Sequence, residues 1–308
     1  FVACLESWQT LQRRGFFERL NALMRETEEA VIALDDAKVE AFIAYWRERL
    51  HKYFLQAAAL HRAFTKPLGY AGDYEMMNMA YRNVPEGDSA LGKALHQWFN
   101  SSMGANAVRT RRRWIVDQMQ LHGRDHQGTY RIASIASGPA YEMRDLFRES
   151  FIVDRAELTC VDQDPQSLEC AKRELEEVME TTVRSCPTHF INDSVRSMIE
   201  QGADPKLPKQ NFIYSLGLYD YLSQRPARAL TAVLYDRLEA GGRLIIGNYA
   251  PHNDARFAME LVMDWKLIYK TEAELLAVAK DLPAGAKYHV TAESTGMQLF
   301  LVIDKPAA

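Results

Sequence analysis

Along the first 125 or so residues, apolar positions recur three and four apart. From Asp36 onward, Val39, Phe42, Ile43, Trp46, Leu50, Tyr53 and Phe54 draw the stripe of a long amphipathic helix, with charged residues on its other side. Lys66-Pro67-Leu68-Gly69-Tyr70-Ala71-Gly72-Asp73 breaks the pattern, and Asp73 then stands as N-cap to a short Met-rich helix reaching Arg82. Beyond the loop at 85–89, Leu91, Leu95, Trp98 and Phe99 mark another helix, and one more runs from near Asn106 to Leu121. The stretch 122–128 reads as a link, so 1–125 is expected to be an all-helical N-terminal cap.

From Tyr130 the period changes. Short apolar runs at 131–136, 158–161, 188–191, 211–216, 243–247, 286–291 and 297–303 alternate with helical stretches at 141–149, 165–180, 194–201, 225–240, 254–263 and 271–280. Strands and helices in this alternation predict an α/β domain over 126–308 built on a parallel sheet. The last two runs are separated by Ala-Glu-Ser-Thr-Gly alone. A link that short allows a hairpin but no crossover helix, so the seventh strand must run antiparallel to the sixth. The expected fold is a Rossmann-like seven-stranded sheet with its last strand antiparallel.

A chain of 308 residues has room for one large α/β domain and an accessory segment. Its 47% hydrophobic and 25% charged residues are ordinary globular values. The net charge of -4 supplies no basic field for nucleic acid or anionic membrane, so no nucleic-acid partner is expected. No apolar run approaches the roughly 20 residues of a membrane span, and no membrane insertion is expected. Cys4, Cys160, Cys170 and Cys186 are scattered without pairing, which points to reduced thiols and a cytoplasmic location. His122 and His126 have the four-residue spacing of metal ligands, but a glycine intervenes and no third ligand lies nearby; no metal is expected.

The chemistry concentrates where strands end. Residues 131–142 run from an apolar strand into a turn, Ala136-Ser137-Gly138-Pro139-Ala140, and about twenty residues later the next strand ends in Asp162. A turn opening a helix, followed by a carboxylate that can accept both ribose hydroxyls, is how open α/β sheets hold an adenine nucleoside; an ordinary strand-to-helix turn would look the same. Asp164-Pro165 is the cap and first residue of the next helix. The fourth strand leads into Gly217-Leu218-Tyr219-Asp220-Tyr221-Leu222, at the edge where such folds bind ligands. Tyr219 and Tyr221 either wall a pocket there or pack beneath neighbouring helices.

With these motifs in this order, residues 130–304 resemble a class I S-adenosylmethionine-dependent methyltransferase. The resemblance implies S-adenosyl-L-methionine as cofactor. Ser137 and Gly138 would face its methionine part, Asp162 and Gln163 its ribose, and Asn192, Asp193 and Ser194 its adenine, with Gly217 and Leu218 alongside. Asn192-Asp193 reads equally as an N-cap. Ala140 stands where the family often has a second glycine; a positive φ there would cost roughly 1 kcal/mol or more. Residues 69–75, 108–113, 217–222 and 264–269 together resemble the bacterial methyltransferases that esterify 3-hydroxy fatty acids into quorum-sensing methyl esters. That similarity implies a small or lipid-like acid as substrate, handled by Tyr70, Asp73, Tyr74, Arg109, Arg113, Tyr221, Asn248, Trp265 and Tyr269.

Methyl transfer from a sulfonium is an in-line displacement that asks mainly for alignment and exclusion of water. A carboxylate acceptor is already ionised and requires no base, whereas an amine or phenol does. Tyr219, beside the transferred methyl, and His252, as a base in the loop after the fifth strand, are the catalytic candidates; a lone loop histidine is as readily just solvated. On a helix Arg109, Arg112 and Arg113 share a face while Arg111 points elsewhere, and the shared face reads as a carboxylate clamp, an RNA contact or a solvated surface. Met76, Met77 and Met79 suit a core or a lipid tail. An N- or O-methyltransferase of a natural-product intermediate, with His252 or Asp220 as base, and a non-catalytic S-adenosylmethionine-binding regulator remain alternatives; an RNA methyltransferase is the least favoured.

Overall fold

The structure, a computed structural model, describes residues 1–6, 13–202, 204 and 206–307. The chain divides into two compact units, one made of Phe1–Asn106 with Asn253–Lys266, the other of Ala107–His252 with Leu267–Ala308.

The first unit is helical: α1 (Val2–Glu6), α2 (Arg13–Ile32), α3 (Asp36–Phe54), α4 (Ala58–Thr65), α5 (Tyr74–Arg82) and α6 (Ala90–Asn100). Polar side chains start three of these helices by accepting an otherwise orphaned amide. Asp35 accepts from Lys38 at the head of α3, Asp73 from Met76 at α5, and Ser89 from Gly92 at α6. The apolar stripe of α3 ends in the buried Trp46, Leu50 and Phe54. On the polar side of that stripe Arg47 donates to the carbonyls of Glu260 and Leu261, and His51 Nε2 lies 3.0 Å from that of Val262. Those carbonyls close the last turn of a helix supplied from much later in the chain.

Helix α7 (Met103–Gly123) begins in the first unit and continues into the second, where it is followed by α8 (Tyr141–Glu149), α9 (Pro165–Thr182), α10 (Val195–Gln201) and α11 (Gln224–Asp236). Then come α12 (Arg256–Met263), the late helix of the first unit, and α13 (Glu272–Leu276). The strands are β1 (Tyr130–Ile135), β2 (Ala156–Asp162), β3 (Thr188–Asn192), β4 (Gln210–Ser215), β5 (Leu238–Tyr249), β6 (Lys287–Ala292) and β7 (Gln298–Asp304), arranged in one sheet in the order β3-β2-β1-β4-β5-β7-β6. Strands β1 to β5 pair in parallel; β7 lies between β5 and β6, antiparallel to both.

Because successive strand residues point to opposite faces, the continuous apolar runs supply two cores. Ile132, Leu158, Phe212, Ile245 and Phe300 pack with α7, α8 and α9, while Ala133, Val161, Ile213, Leu244 and Leu301 pack with α10 and α11. Trp114 of α7 stacks face to face on Phe300 of β7, with ring centres 3.9 Å apart. The helix expected over 225–240 ends at Asp236, since Leu238 already pairs with Gln210 and a bulge carries the chain into the 243–247 run. The helix expected over 271–280 is a five-residue α13, started by a Thr271–Glu274 capping box, followed by one 3-10 turn. Among the described residues, no helix is long and apolar enough to cross a membrane.

Candidate functional site

All five parallel strands end at one edge of the second unit. The switch in strand order falls between β1 and β4, whose chains continue toward opposite sides of the sheet. At this junction the Ser215 hydroxyl donates to the Ile135 carbonyl at 2.8 Å, tying the two strand ends where their own pairing stops. Open α/β sheets bind ligands in the crevice beyond such a switch.

The turn after β1 holds three residues at positive φ: Ala136 (53°), Gly138 (55°) and Ala140 (51°). Alanine in this region costs about 1–2 kcal/mol, so the missing glycine at 140 leaves strain in place and does not change the backbone. What offsets it is the Ala140 methyl, which is fully buried in the core beneath α8. Ala140→Gly relieves the strain but loses about 0.8 kcal/mol of burial and adds about 0.4–1 kcal/mol of unfolded-chain entropy, so urea unfolding should place it within about 1 kcal/mol of the parent. Ala140→Val adds bulk to a filled site at a φ that β-branched residues avoid, and should lose about 3 kcal/mol or more. A tolerated valine would rule out the left-handed conformation.

The amides of this turn are taken up by the fold. Ser137 N–H donates to the Val161 carbonyl, Ala140 N–H to the Ser137 carbonyl and Gly138 N–H to Asp162 Oδ2 at 2.9 Å, while Pro139 has none. Glu142, in the first turn of α8, is buried and accepts from its own backbone N–H and from the Tyr214 hydroxyl, so an acid of the protein already occupies the positive end of that helix. Burial pushes its carboxyl above the ordinary range.

Asp162 ends β2 opposite Asn192 of β3. Its Oδ2 accepts from Gly138 N–H and the Ser167 hydroxyl, and its Oδ1 from Asp164 N–H. Burial raises its pKa against the pull of those donors. A carboxylate has about four acceptor positions, so these three bonds leave room for one ribose hydroxyl and not for the two expected. Gln163 is exposed beside it. Asn192 donates to the Asp162 carbonyl at 3.0 Å, Asp193 accepts from Ser194 N–H, and Ser194 caps α10. The cap of α10 is therefore Ser194, expected beside the cofactor, and not Asn192-Asp193.

Beyond β4, Gly217 and Leu218 are half-buried, and the chain then dives inward. Tyr219 is in the core, with its hydroxyl 3.0 Å from Thr231 of α11 and its pKa raised by burial. This corrects its expected catalytic role: of the two tyrosines only Tyr221 is exposed. Asp220 is buried; its carboxylate accepts Tyr249 N–H at 2.7 Å and its carbonyl accepts Ile268 N–H. Burial, opposed by that amide, Arg111 and Lys270, pushes its pKa up to about 7. Lys270 is buried alongside and donates to the carbonyls of Tyr219 and Leu222 and to Asn248 Oδ1, at 2.8, 2.9 and 2.8 Å. Asn248, expected to touch substrate, is fully buried and gives its amide to the Ile268 carbonyl. It clamps chain to chain. Lys270 escaped the sequence reading, since one lysine after an apolar run looks like any surface lysine.

The arginine helix is rearranged in role. Arg112 pairs with Asp145 of α8, Arg113 is exposed and Arg109 is half-buried, with its pKa lowered by burial. Arg111, the one assigned elsewhere, lies buried against the end of β4. Of the face expected to form a clamp, Arg112 is thus taken up by Asp145, while Arg113 is exposed. His252 is exposed after β5, and Tyr269 is half-buried beside Lys270 in the chain.

In the first unit Asp73 is fully buried, with both carboxylate oxygens on Arg62 Nε at 2.8 and 2.9 Å and Oδ1 also accepting Met76 N–H. It anchors the Gly-Tyr-Ala-Gly loop and is not a substrate ligand. Tyr70 and Tyr74 flank it, half-buried, and Trp265 is buried with its N–H on the Met259 carbonyl.

No family model matches the chain, and no curated protein matches it. Solved structures do. A possible exported protein from Bordetella parapertussis is 16% identical over 89% of this chain and 100% of its own, with a TM-score of 0.61. Magnesium protoporphyrin IX methyltransferase from Synechocystis PCC 6803, solved with bound S-adenosylhomocysteine, is 11% identical over 76% of this chain and 95% of its own, with a TM-score of 0.51. Likeness at these identities concerns the fold, and with the strand order above it gives the conclusion: the chain has the seven-stranded class I methyltransferase fold, preceded by a helical region.

Proposed function

We propose that the chain is an S-adenosylmethionine-dependent methyltransferase that esterifies the carboxylate of a small or lipid-like acid. The observation that carries the cofactor is the turn after β1. A dinucleotide site offers free turn amides and a helix N-terminus to pyrophosphate. Here the turn amides at 137, 138 and 140 are used within the fold, and Glu142 fills the helix end. Such a site suits a nucleoside without phosphates. A side chain added at Gly138 would meet nothing within 4 Å, so the turn is open on its outer face. Ser137 and Gly138 would lie along the methionine part, Asp162 would take a ribose hydroxyl with Gln163 beside it, and Asn192 and Asp193 would border the adenine. Gly217 and Leu218 would form the opposite wall. The methyltransferase of the same fold with bound S-adenosylhomocysteine supports this donor.

When bound, the cofactor supplies an electrophilic methyl group on a sulfonium. The residues of the chain then orient the acceptor in line with it and keep water away. A carboxylate acceptor needs no base at neutral pH, which agrees with a strand edge where the Tyr219 hydroxyl and the Asn248 amide are engaged inside the protein.

One observation favours a second reading: Asp220, held at a pKa of about 7, has the proton affinity of a base for an amine or phenol acceptor. Product chemistry separates the two. With labelled S-adenosylmethionine and acids of increasing chain length, ester formation yields a label that mild alkali releases as methanol, whereas N-methyl and aryl ether labels survive it. Calorimetric titration with S-adenosylhomocysteine should show micromolar binding, and no heat at millimolar ligand would overturn both readings.

A further inference from the structure

A groove of about 800 Å³ lies where β1 and β2 begin, at the opposite edge of the sheet from the candidate site. One wall is the outer side of the last two turns of α7; the other is the segment 149–155 that joins α8 to β2. Both walls are fixed. The Ser150 hydroxyl accepts Ile152 N–H at 3.2 Å and so starts the 3-10 turn Phe151–Arg155. Arg155 then ties the walls together, donating to the carbonyls of His126, Gly123 and Arg124 at 2.6, 2.6 and 3.1 Å. A Cβ at Gly123 would stand 2.6 Å from Ile152 Cδ1, so only glycine lets the end of α7 approach the turn this closely.

Two large apolar side chains stand out from the rim: Phe151 is 86% exposed and Leu121 55%. Arg184 lies over the Phe151 ring at 5.5 Å while pairing with Asp154, which keeps the ring at the rim. Apolar groups held in water beside a groove, within a polar rim, mark a surface that gains by being covered.

The charges say by what. Asp117 and Leu121 of α7 and Arg124, the residue after it, follow at intervals of four and three and line the groove together. The acid and the base stand about 10 Å apart along the helix direction, with Leu121 between them. Both are exposed, and among the described residues neither has an ion-pair partner. When a second α7 is laid antiparallel across the first about a two-fold axis at Leu121, each Asp117 meets Arg124 of the second copy. A parallel pairing would set acid against acid and base against base.

We propose that this face joins two copies of the chain in a two-fold dimer, with Phe151 of each copy seated in the groove of the other and an Asp117–Arg124 pair on either side of the axis. The proposal does not depend on the methyltransferase reading. Sedimentation velocity of the full chain over a concentration series tests it. The parent is expected to associate with a micromolar Kd and to sediment as a dimer at about 100 µM. Phe151→Ser, at an exposed position where folding is little affected, removes a contact made twice and should weaken the dimer about a hundredfold. Asp117→Arg and Arg124→Asp each set like charges together twice and should each weaken it about tenfold or more.

The double variant Asp117→Arg/Arg124→Asp restores opposite signs across the axis and should return to within about threefold of the parent. That rescue is specific to antiparallel contact of this helix with itself. A parent that stays monomeric at about 100 µM, a dimer indifferent to Phe151→Ser, or a double variant no better than the single ones overturns the proposal.

Discussion

Lys270→Met is expected to lower stability by about 3–5 kcal/mol, the range seen when one partner of a buried charged network is removed. The lysine is 2% exposed, and all three of its ammonium hydrogens are used, on the carbonyls of Tyr219 and Leu222 and on Asn248. Methionine fills much of the same volume but leaves those three oxygens without the ammonium that donates to them and Asp220 with one of its two neighbouring cations removed. The cost concentrates in the 217–222 turn, whose shape the ammonium holds from below, so binding of S-adenosylhomocysteine should weaken together with stability. Urea unfolding of the variant against the parent checks the first effect. A midpoint indistinguishable from the parent's would mean that the turn is held by its own backbone bonds.

The second large effect is a dependence of stability on pH that traces to Asp220. Burial raises its carboxyl from 3.8 to about 7 even though Arg111, Lys270 and Tyr249 N–H all favour the charged form. Folding therefore holds a proton that the unfolded chain has released. The corresponding stability is fully present below about pH 4 and is lost as pH rises to about 7, at about 1.4 kcal/mol per unit within that window. Asp162 and Glu142, both raised by burial, act in the same direction. Asp220→Asn keeps an oxygen for Tyr249 N–H and cannot titrate, so the fall of stability between pH 4 and 7 should be shallower by one proton's share. Urea unfolding at a series of pH values measures that slope, and an unchanged slope in the asparagine variant would remove Asp220 as its source.

Much of the fold was legible along the chain. Apolar runs from 131 to 303 fall on β1 to β7 with shifts of a residue or two, apart from the longer β5, because a side chain's direction follows from local backbone angles and repeats with the period of its element. The five-residue link between the last two strands was enough to make β7 antiparallel to β6. Its insertion between β5 and β6 was not visible, since either edge of a hairpin can join a sheet. The candidate site was legible as far as its two strand-end motifs being neighbours: Gly138 N–H donates to Asp162 at 2.9 Å.

The assignments that failed depended on which way a side chain faces, in irregular turns most plainly but also at Asn248 of β5 and Arg112 of α7. Tyr219 and Tyr221 sit two residues apart in one short turn, yet one is fully buried under α11 and the other is exposed. Asp73 looked like a ligand in a glycine-rich loop and proves to be the anchor of that loop through Arg62.

The sequence by itself determined the kinds of element, their order, the antiparallel end of the sheet and the placing of Gly138 and Asp162 at strand tips, all of which follow from spacing along the chain. Only the tertiary structure decided that Arg111, Glu142, Asp220, Asn248 and Lys270 gather around the switch point. These residues come from five separate segments, and only Asp220 and Asn248 among them were marked by the sequence, as a base and a substrate ligand. What sets them apart is their common removal from water, which is a property of packing between distant segments and leaves no periodic trace in any one of them.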